Sequence, residues 1–229
     1  MDTRLTLDKE IDALLDDVVL MGSRVESAVI NSVKFLKERD HKNAKKLYKS
    51  DKDLNKLRYD LEERAIALIA RYQPVAIDVR VLAAVLECIT ELERIGDYAK
   101  GIARISRLIG DEPLIKPLVD LPRMADITAD MLNRALKAFV DQDEAAARRI
   151  PLEDDQVDDL YNQVYRELVT HMLEDHHKID QANYLLWVAH NLERSADRVT
   201  NICERTIYIV TGELGDFDPS DDEMGPDEE

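Results

Sequence analysis

The strongest constraint on this chain is that it contains the same segment twice. A shift of 103 residues puts Met21 on Met124, Asp40 on Asp143, Asp51 on Asp154 and Leu57 on Leu160. In that register Asp51-Lys-Asp-Leu-Asn-Lys-Leu57 lies over Asp154-Asp-Gln-Val-Asp-Asp-Leu160. Further on the shift becomes 100, and Leu92-Glu-Arg-Ile-Gly-Asp97 lies over Leu192-Glu-Arg-Ser-Ala-Asp197. The change in shift fits a shorter connection in the second half. A duplication of this kind implies two copies of one folding unit.

The unit is helical. The chain has only 7 Gly, 7 Pro and 5% aromatic residues in 229, whereas a sandwich or barrel needs a turn signal about every 8–12 residues. Apolar residues recur at three- and four-residue steps from Leu5 to about Glu38, through Leu7, Ile11, Leu14, Val18, Met21 and Val25. Asp40 caps a second pattern that stops at Gln73-Pro74, because proline disfavours helix in the residue before it. A third runs through Leu82, Leu86, Ile89, Leu92, Ala99 and Ile105, with Gly110 just past its end. Three more cover about Arg123 to Val140, Glu144 to Leu173 with an irregularity at Pro151, and Asp180 to Val210, closed by Gly212. The expected fold is all-α: two tandem, pseudo-symmetric antiparallel three-helix bundles, six long helices in all. The one proline-rich connection, Gly110 to Pro122, separates the halves. The first bundle is placed at residues 1–112, the second at 113–212, and an acidic disordered tail at 213–229.

Net charge is −17, and the tail alone carries 9 acids and no base, leaving 39 acids against 31 bases in the body. Neither part is a footprint for a phosphate backbone or an anionic membrane, so nucleic-acid binding is excluded as a primary role. Cys88 and Cys203 lie inside helical patterns without paired spacing and read as reduced core thiols. Met1-Asp2-Thr3-Arg4 opens no apolar signal-like stretch, and no apolar run reaches the roughly 20 residues that span a bilayer. A cytoplasmic protein is expected.

The chemistry lies in carboxylates that interrupt apolar stripes. Leu82, Leu86 and Ile89 are continued by Glu93 and Asp97, and Ala189 is continued by Glu193 and Asp197. Residues four apart share a helix face, so each pair sets two like charges side by side. The middle helices carry partners: Asp51 with Asn55, and Asp154 with Asp158. Four oxygen-bearing side chains converging between two helices form a hard-cation site by ligand type. One acidic pair four residues apart is weak, since an acidic helix produces it by chance. Recurrence at matched positions in two otherwise diverged halves is what favours metal over a solvated acidic face. Glu87 and Glu91 form another such pair and are read as solvated, with Arg94 and Arg194 available for surface ion pairs. Glu38-Arg-Asp-His41 and Glu174-Asp-His-His177 match Glu-x-x-His but do not correspond under the repeat, so these are read as exposed helix-end histidines. Trp187, among Leu185 and Leu186, is read as core. A glycine-rich phosphate loop, Gly-x-Ser-x-Gly and His-Glu-x-x-His are all absent from the sequence.

The runs Glu91-Leu-Glu-Arg-Ile-Gly-Asp-Tyr-Ala-Lys100 and Leu192-Glu-Arg-Ser-Ala-Asp-Arg-Val-Thr-Asn-Ile-Cys-Glu204 resemble the two signature segments of the PhoU family. Asp51-x-Asp-Leu-Asn55, Gln73-Pro74, Asp78-x-Arg80 and Thr211-Gly212 stand where that family has them, and the resemblance covers residues 5–212. It implies a non-enzymatic, cytoplasmic negative regulator of phosphate uptake and phosphate-starvation signalling. Such a regulator docks to the ATPase subunit of a phosphate ABC transporter, to a phosphate-sensing histidine kinase, or to both, and it implies a homodimer. Some members carry multinuclear iron or zinc, which implicates Glu93 and Asp97 with Asp51 and Asn55, and Glu193 and Asp197 with Asp154 and Asp158. Two departures stand out. Asn55 replaces an acid, so the second-half site is expected to be better occupied. Ser195-Ala196 replaces Ile-Gly, which questions close backbone packing there. The alternative is a metal-dependent, carboxylate-bridged enzyme, redox or hydrolytic, in the same bundles, although no acid or base beside an open coordination position is evident. A third is a helical adaptor without metal.

The tail generates its own test. It holds too little apolar surface to offset its ordering entropy. Deleting residues 216–229 should leave the thermal midpoint within a few degrees, because surface changes usually stay within about 0.5 kcal/mol. A large drop on calorimetry would show that the tail docks.

Overall fold

The computed structural model describes residues 3–215, which contain helices and no strand. The α-helices are α1 (Thr3–Glu38), α2 (His41–Tyr72), α3 (Ile77–Ile109), α4 (Asp120–Asp141), α5 (Glu144–Arg149), α6 (Asp154–Glu174) and α7 (Ile179–Thr211). Short 3-10 turns at Pro151–Glu153 and His176–Lys178 precede α6 and α7. Residues 212–215 follow α7 without regular structure, and residues 216–229 of the expected disordered tail lie outside the described residues. Among the described residues, no helix is long and apolar enough to cross a membrane.

The repeat extends to individual hydrogen bonds. Asp40 accepts from Asn43 N at 3.0 Å, and Asp143 accepts from Ala146 N at 2.9 Å, each capping an otherwise unpaired donor. The residues before these caps, Arg39 and Gln142, share a left-handed backbone with φ of 55° and 54°. The amides of Asp40 and Asp143 donate to Phe35 O and Ala138 O at 2.8 and 2.9 Å. The two halves differ where the sequences differ. Pro151 cannot donate to the helix ladder and its ring collides with the preceding turn, so the expected fifth helix breaks into α5, a 3-10 turn and α6. The corresponding α2 has no proline and runs unbroken for 32 residues. Conversely, α4 starts at Asp120, earlier than expected, because Pro122 falls in its first turn, where backbone donors lack helical partners anyway.

In the first bundle α1, α2 and α3 pack on one another; in the second, α4, α6 and α7 do. The bundles are fused. α3 lies along α7 and α1 along α4, and one continuous apolar cluster runs through all of them. Phe139, Leu14, Met21, Met124, Leu92 and Ile95 are among its largest fully buried side chains. Cys88 and Cys203 are free and buried in it, and burial pushes both thiols up, Cys203 to about 12. The proline-rich connection is tied down by Gln181 of α7, which accepts from Ile115 N at 2.6 Å and donates to Pro113 O at 3.0 Å. Asp78 pairs with Arg4, joining the starts of α3 and α1. The Arg80 guanidinium occupies the space a Cβ would need on Gly212, whose φ is 79°.

Gly96 permits close packing for a specific reason: a Cβ there would overlap Leu54 Cδ2 of α2. In the second half Ala196 takes the glycine's place, and the register puts Val157 where α2 has Leu54. On that register the second half pairs a larger residue on α7 with a shorter one on α6, a size exchange that bears on the question raised by Ser195-Ala196. Both residues are fully buried. Overpacking of about 1–3 kcal/mol opposes a gain of about 1 kcal/mol in helix propensity for Gly96→Ala. Leu54→Val should remove the overpacking. Chemical denaturation of the double-mutant cycle should give a favourable coupling of about 0.5–2 kcal/mol. Strict additivity would refute the size complementarity.

Candidate metal centres

Each expected site sits where a middle helix packs on the last helix of its bundle: α2 on α3, and α6 on α7. The four-residue spacing puts both acids of a pair on one face beside the apolar stripe, where Asp51 is buried, Glu93, Asp154, Glu193 and Asp197 are half-buried, and Asp97 and Asp158 are exposed. Asp51 and Asn55 project from α2, Glu93 and Asp97 from α3, Asp154 and Asp158 from α6, and Glu193 and Asp197 from α7.

The first cluster contains a cation of its own. Lys100 Nζ lies 2.6 Å from Asp51 Oδ2 and 3.2 Å from Asp97 Oδ1, so it bridges the two helices. Asp51 is only 7% exposed at its side chain, against 47% for Asp97. The hydrogen bond to Asp51, above all, holds the ammonium pKa above its ordinary value. Asn55 Nδ2 donates to the same Asp51 oxygen at 3.4 Å. Asp51 Oδ1 and Asn55 Oδ1 are buried without a hydrogen-bond partner. Glu93 has its carboxyl raised by burial and then by Asp97, while Arg58 and Arg94 act in the opposite sense.

The second cluster is more acidic. Burial, then the charges of Asp197 and Asp158, push Glu193 up to about 7, with Arg194 opposing. His190 Nδ1 stands 3.2 Å from Glu193 Oε2, an ion pair when the imidazole is protonated. Where the first half has Arg58, Thr90 and Lys100, the register gives Tyr161, His190 and Thr200. The Tyr161 and His190 rings lie 6.2 Å apart. Thr200 Oγ1 donates to the Asp197 carbonyl at 2.7 Å, within its own helix.

The first quartet is linked through Asp51, which touches Asn55, shares Lys100 with Asp97 and acts on Glu93; in the second, Asp197 and Asp158 act on Glu193. Among the described residues, however, the three His, Cys, Asp or Glu side chains with ligand atoms all within 4.8 Å of one another are Asp175, His176 and His177. Both histidines there are exposed at a helix end, as expected, whereas His41 is half-buried, and Asp175 caps the His177 amide at 3.0 Å. The quartets are looser, as mutual repulsion between like charges favours. On donor chemistry the second quartet fits a hard cation: four carboxylates, with a threonine and not a lysine three residues beyond the last of them. The first fits poorly, because an ammonium already lies among its three carboxylates.

Two expectations are corrected. Glu91 is buried, not solvated: it faces the α3–α7 seam, 3.5 Å from Arg198 across it and 3.9 Å from Arg94. Glu87 alone of that pair is exposed. Trp187 is 68% exposed, not core. It flanks a groove of about 430 Å³ with Tyr184, Leu108 and Arg104, because the apolar stripe of α7 turns past it onto Leu185 and Val188. Lys100, Arg58 and Arg198 were missed as site residues. The signal for Lys100 was present: it follows Asp97 by three residues, and the repeat sets it against Thr200.

A family model described as the PhoU domain matches the chain twice, over residues 18–106 and 121–206. The chain is 36% identical over 210 residues to the phosphate-specific transport system accessory protein PhoU homolog of Aquifex aeolicus (strain VF5), covering 92% of this chain and 95% of that protein. It is 34% identical over 204 residues to the phosphate-specific transport system accessory protein PhoU of Escherichia coli (strain K12), covering 89% and 85%. The crystal structure of the phosphate transport system regulatory protein PhoU from Streptococcus pneumoniae superposes with a TM-score of 0.85 at 28% identity, covering 92% of this chain and 99% of that one. The two matches fall on the two bundles and cover most of the sequence, and the chain belongs to the PhoU family.

Proposed function

We propose that the protein is a cytoplasmic, non-enzymatic negative regulator of phosphate uptake and phosphate-starvation signalling. It acts by docking to the ATPase subunit of a phosphate ABC transporter, to a sensor histidine kinase, or to both, and it works as a homodimer. The observation that carries this reading is the match of both bundles, nearly end to end, to proteins named as phosphate transport accessory and regulatory proteins. The long helices carry charged outer faces, and docking needs about 1,200–2,000 Å² of interface in total. A net charge of −17 favours a basic patch on the partner. The carboxylate-bridged enzyme has no comparable support. The test is binding of the purified ATPase at high and low phosphate, with transport assayed in the presence and absence of this protein. A phosphate-dependent complex whose association slows with added salt is expected. Turnover of a substrate, lost on changing Asp154 or Glu193, with no complex under any condition, would replace this reading with the enzyme.

The second quartet is proposed to hold iron or zinc through Asp154, Asp158, Glu193 and Asp197. A bound cation would supply charge neutralisation between α6 and α7, and so brace the helix pair. The Glu193→Ala/Asp197→Ala double variant should lose more metal than Glu93→Ala/Asp97→Ala, measured by elemental analysis. Equal metal in wild type and both variants would leave the acids as a solvated or partner-binding face.

Without metal the same acids work against folding. A carboxyl raised to about 7 binds its proton more tightly in the folded state, so its contribution to stability is present below the unfolded value of 4.5 and is lost as pH rises through 7. Glu193→Gln removes that loss. The metal-free variant should match wild type near pH 4 and exceed it by about 1–3 kcal/mol at pH 8. Denaturant titrations at both pH values check this. Destabilisation at pH 8 would mean that Glu193 serves instead in a structural ion pair.

A further inference from the structure

The two acidic clusters are built on one plan and differ at several positions, among them Asn55 against Asp158, Arg58 against Tyr161 and Thr90 against His190; the telling one lies three residues beyond the last acid. Three residues beyond Asp97 stands Lys100; three beyond Asp197 stands Thr200. The lysine ammonium lies 2.6 Å from an oxygen of Asp51 on α2 and 3.2 Å from one of Asp97 on α3. The carboxylates it contacts are two of those that would hold a metal in this bundle. The lysine stem leaves its own helix beside the acids, so the charge is covalently tethered there. A metal ion entering would have to displace it from the buried Asp51 carboxylate and would then share the site with a like charge a few ångströms away. Arg58 adds a second cation acting on Glu93, where the register gives the uncharged Tyr161 in the other half. Thr200 can take no such role, since its hydroxyl is spent on the carbonyl of its own helix at 2.7 Å.

We propose that Lys100 is the resident cation of the first bundle, so that its acidic cluster excludes metal and the chain takes up metal in the second bundle alone. The two halves of the duplication have thus diverged into a lysine-braced bundle and a metal-dependent one. The second half of this statement rests on the metal reading of the preceding subsection; the role of Lys100 does not.

The test is a reciprocal swap in the full-length chain. Metal-free protein is dialysed against zinc alone, and bound zinc is counted by elemental analysis, with folding checked by circular dichroism. Wild type should keep its zinc in Glu93→Gln/Asp97→Gln and lose it in Glu193→Gln/Asp197→Gln. Lys100→Thr should gain zinc, and Glu93→Gln/Asp97→Gln should abolish that gain. Thr200→Lys should weaken zinc binding in the second bundle at least tenfold. Lys100→Met and Lys100→Arg guard against a folding defect: the first keeps length without charge and should gain zinc, the second keeps charge and should not. Folded Lys100→Thr and Lys100→Met proteins without added zinc would overturn the role of Lys100, as would wild type losing zinc in Glu93→Gln/Asp97→Gln. Wild type without zinc beside a Lys100→Thr variant that binds it in the first bundle would instead sink the second-bundle metal reading and leave Lys100 standing.

Discussion

The seam between α3 and α7 is the contact on which the rest of the molecule depends. In each bundle the last helix, 33 residues long, carries an apolar stripe that its own partners do not cover. Here each bundle covers the other's stripe: α3 and α7 lie against each other, α1 against α4, and the apolar cluster is continuous across both. Burial of that stripe is a hydrophobic effect proportional to area, without regard to direction. Direction comes from the polar groups at the seam. Glu91 meets Arg198, Arg194 stacks over the Tyr98 ring at 5.8 Å, and Asn191 lies beside Gly101. Removing one partner of a buried ion pair costs more than the pair contributes, so such groups fix the register between bundles.

That architecture forces acidic side chains on α3 and α7 to stand partly withdrawn from water. A half-buried carboxylate beside another is unfavourable unless a cation lies near, and the molecule meets this requirement differently in each half. In the first, Lys100 and Arg58 come from the chain itself. In the second the register offers a threonine and a tyrosine at those positions, and burial, then Asp197 and Asp158, push Glu193 up to about 7 against the opposing charge of Arg194. A duplicated fold can diverge this way cheaply, because a few surface-facing substitutions change the charge of a cluster without touching the core that the repeat preserves.

Regulation by docking suits such a frame. Long fused helices present semi-rigid faces, and charge on those faces sets association rate and partner choice more than affinity. A cation held between α6 and α7 would stiffen one bundle only, leaving the two ends of the molecule mechanically unlike.

Much of this was legible in the residues alone. Apolar spacing, the capping aspartates at 40 and 143 and the register between halves determined an all-α, duplicated fold, because helix periodicity and capping are local and each copy corroborates the other. The eight acidic-cluster residues were legible for the same reason. What lay beyond reach were the relations between helices. Whether Trp187 or Leu185 faces inward depends on a rotation of α7 that a neighbouring helix sets, and Glu91 is buried where it meets Arg198 of the second bundle. The bridge from Lys100 to Asp51 joins residues 49 apart in sequence. Periodicity assigns a residue to a face of its own helix; only packing decides which face meets another helix, and so which charges meet.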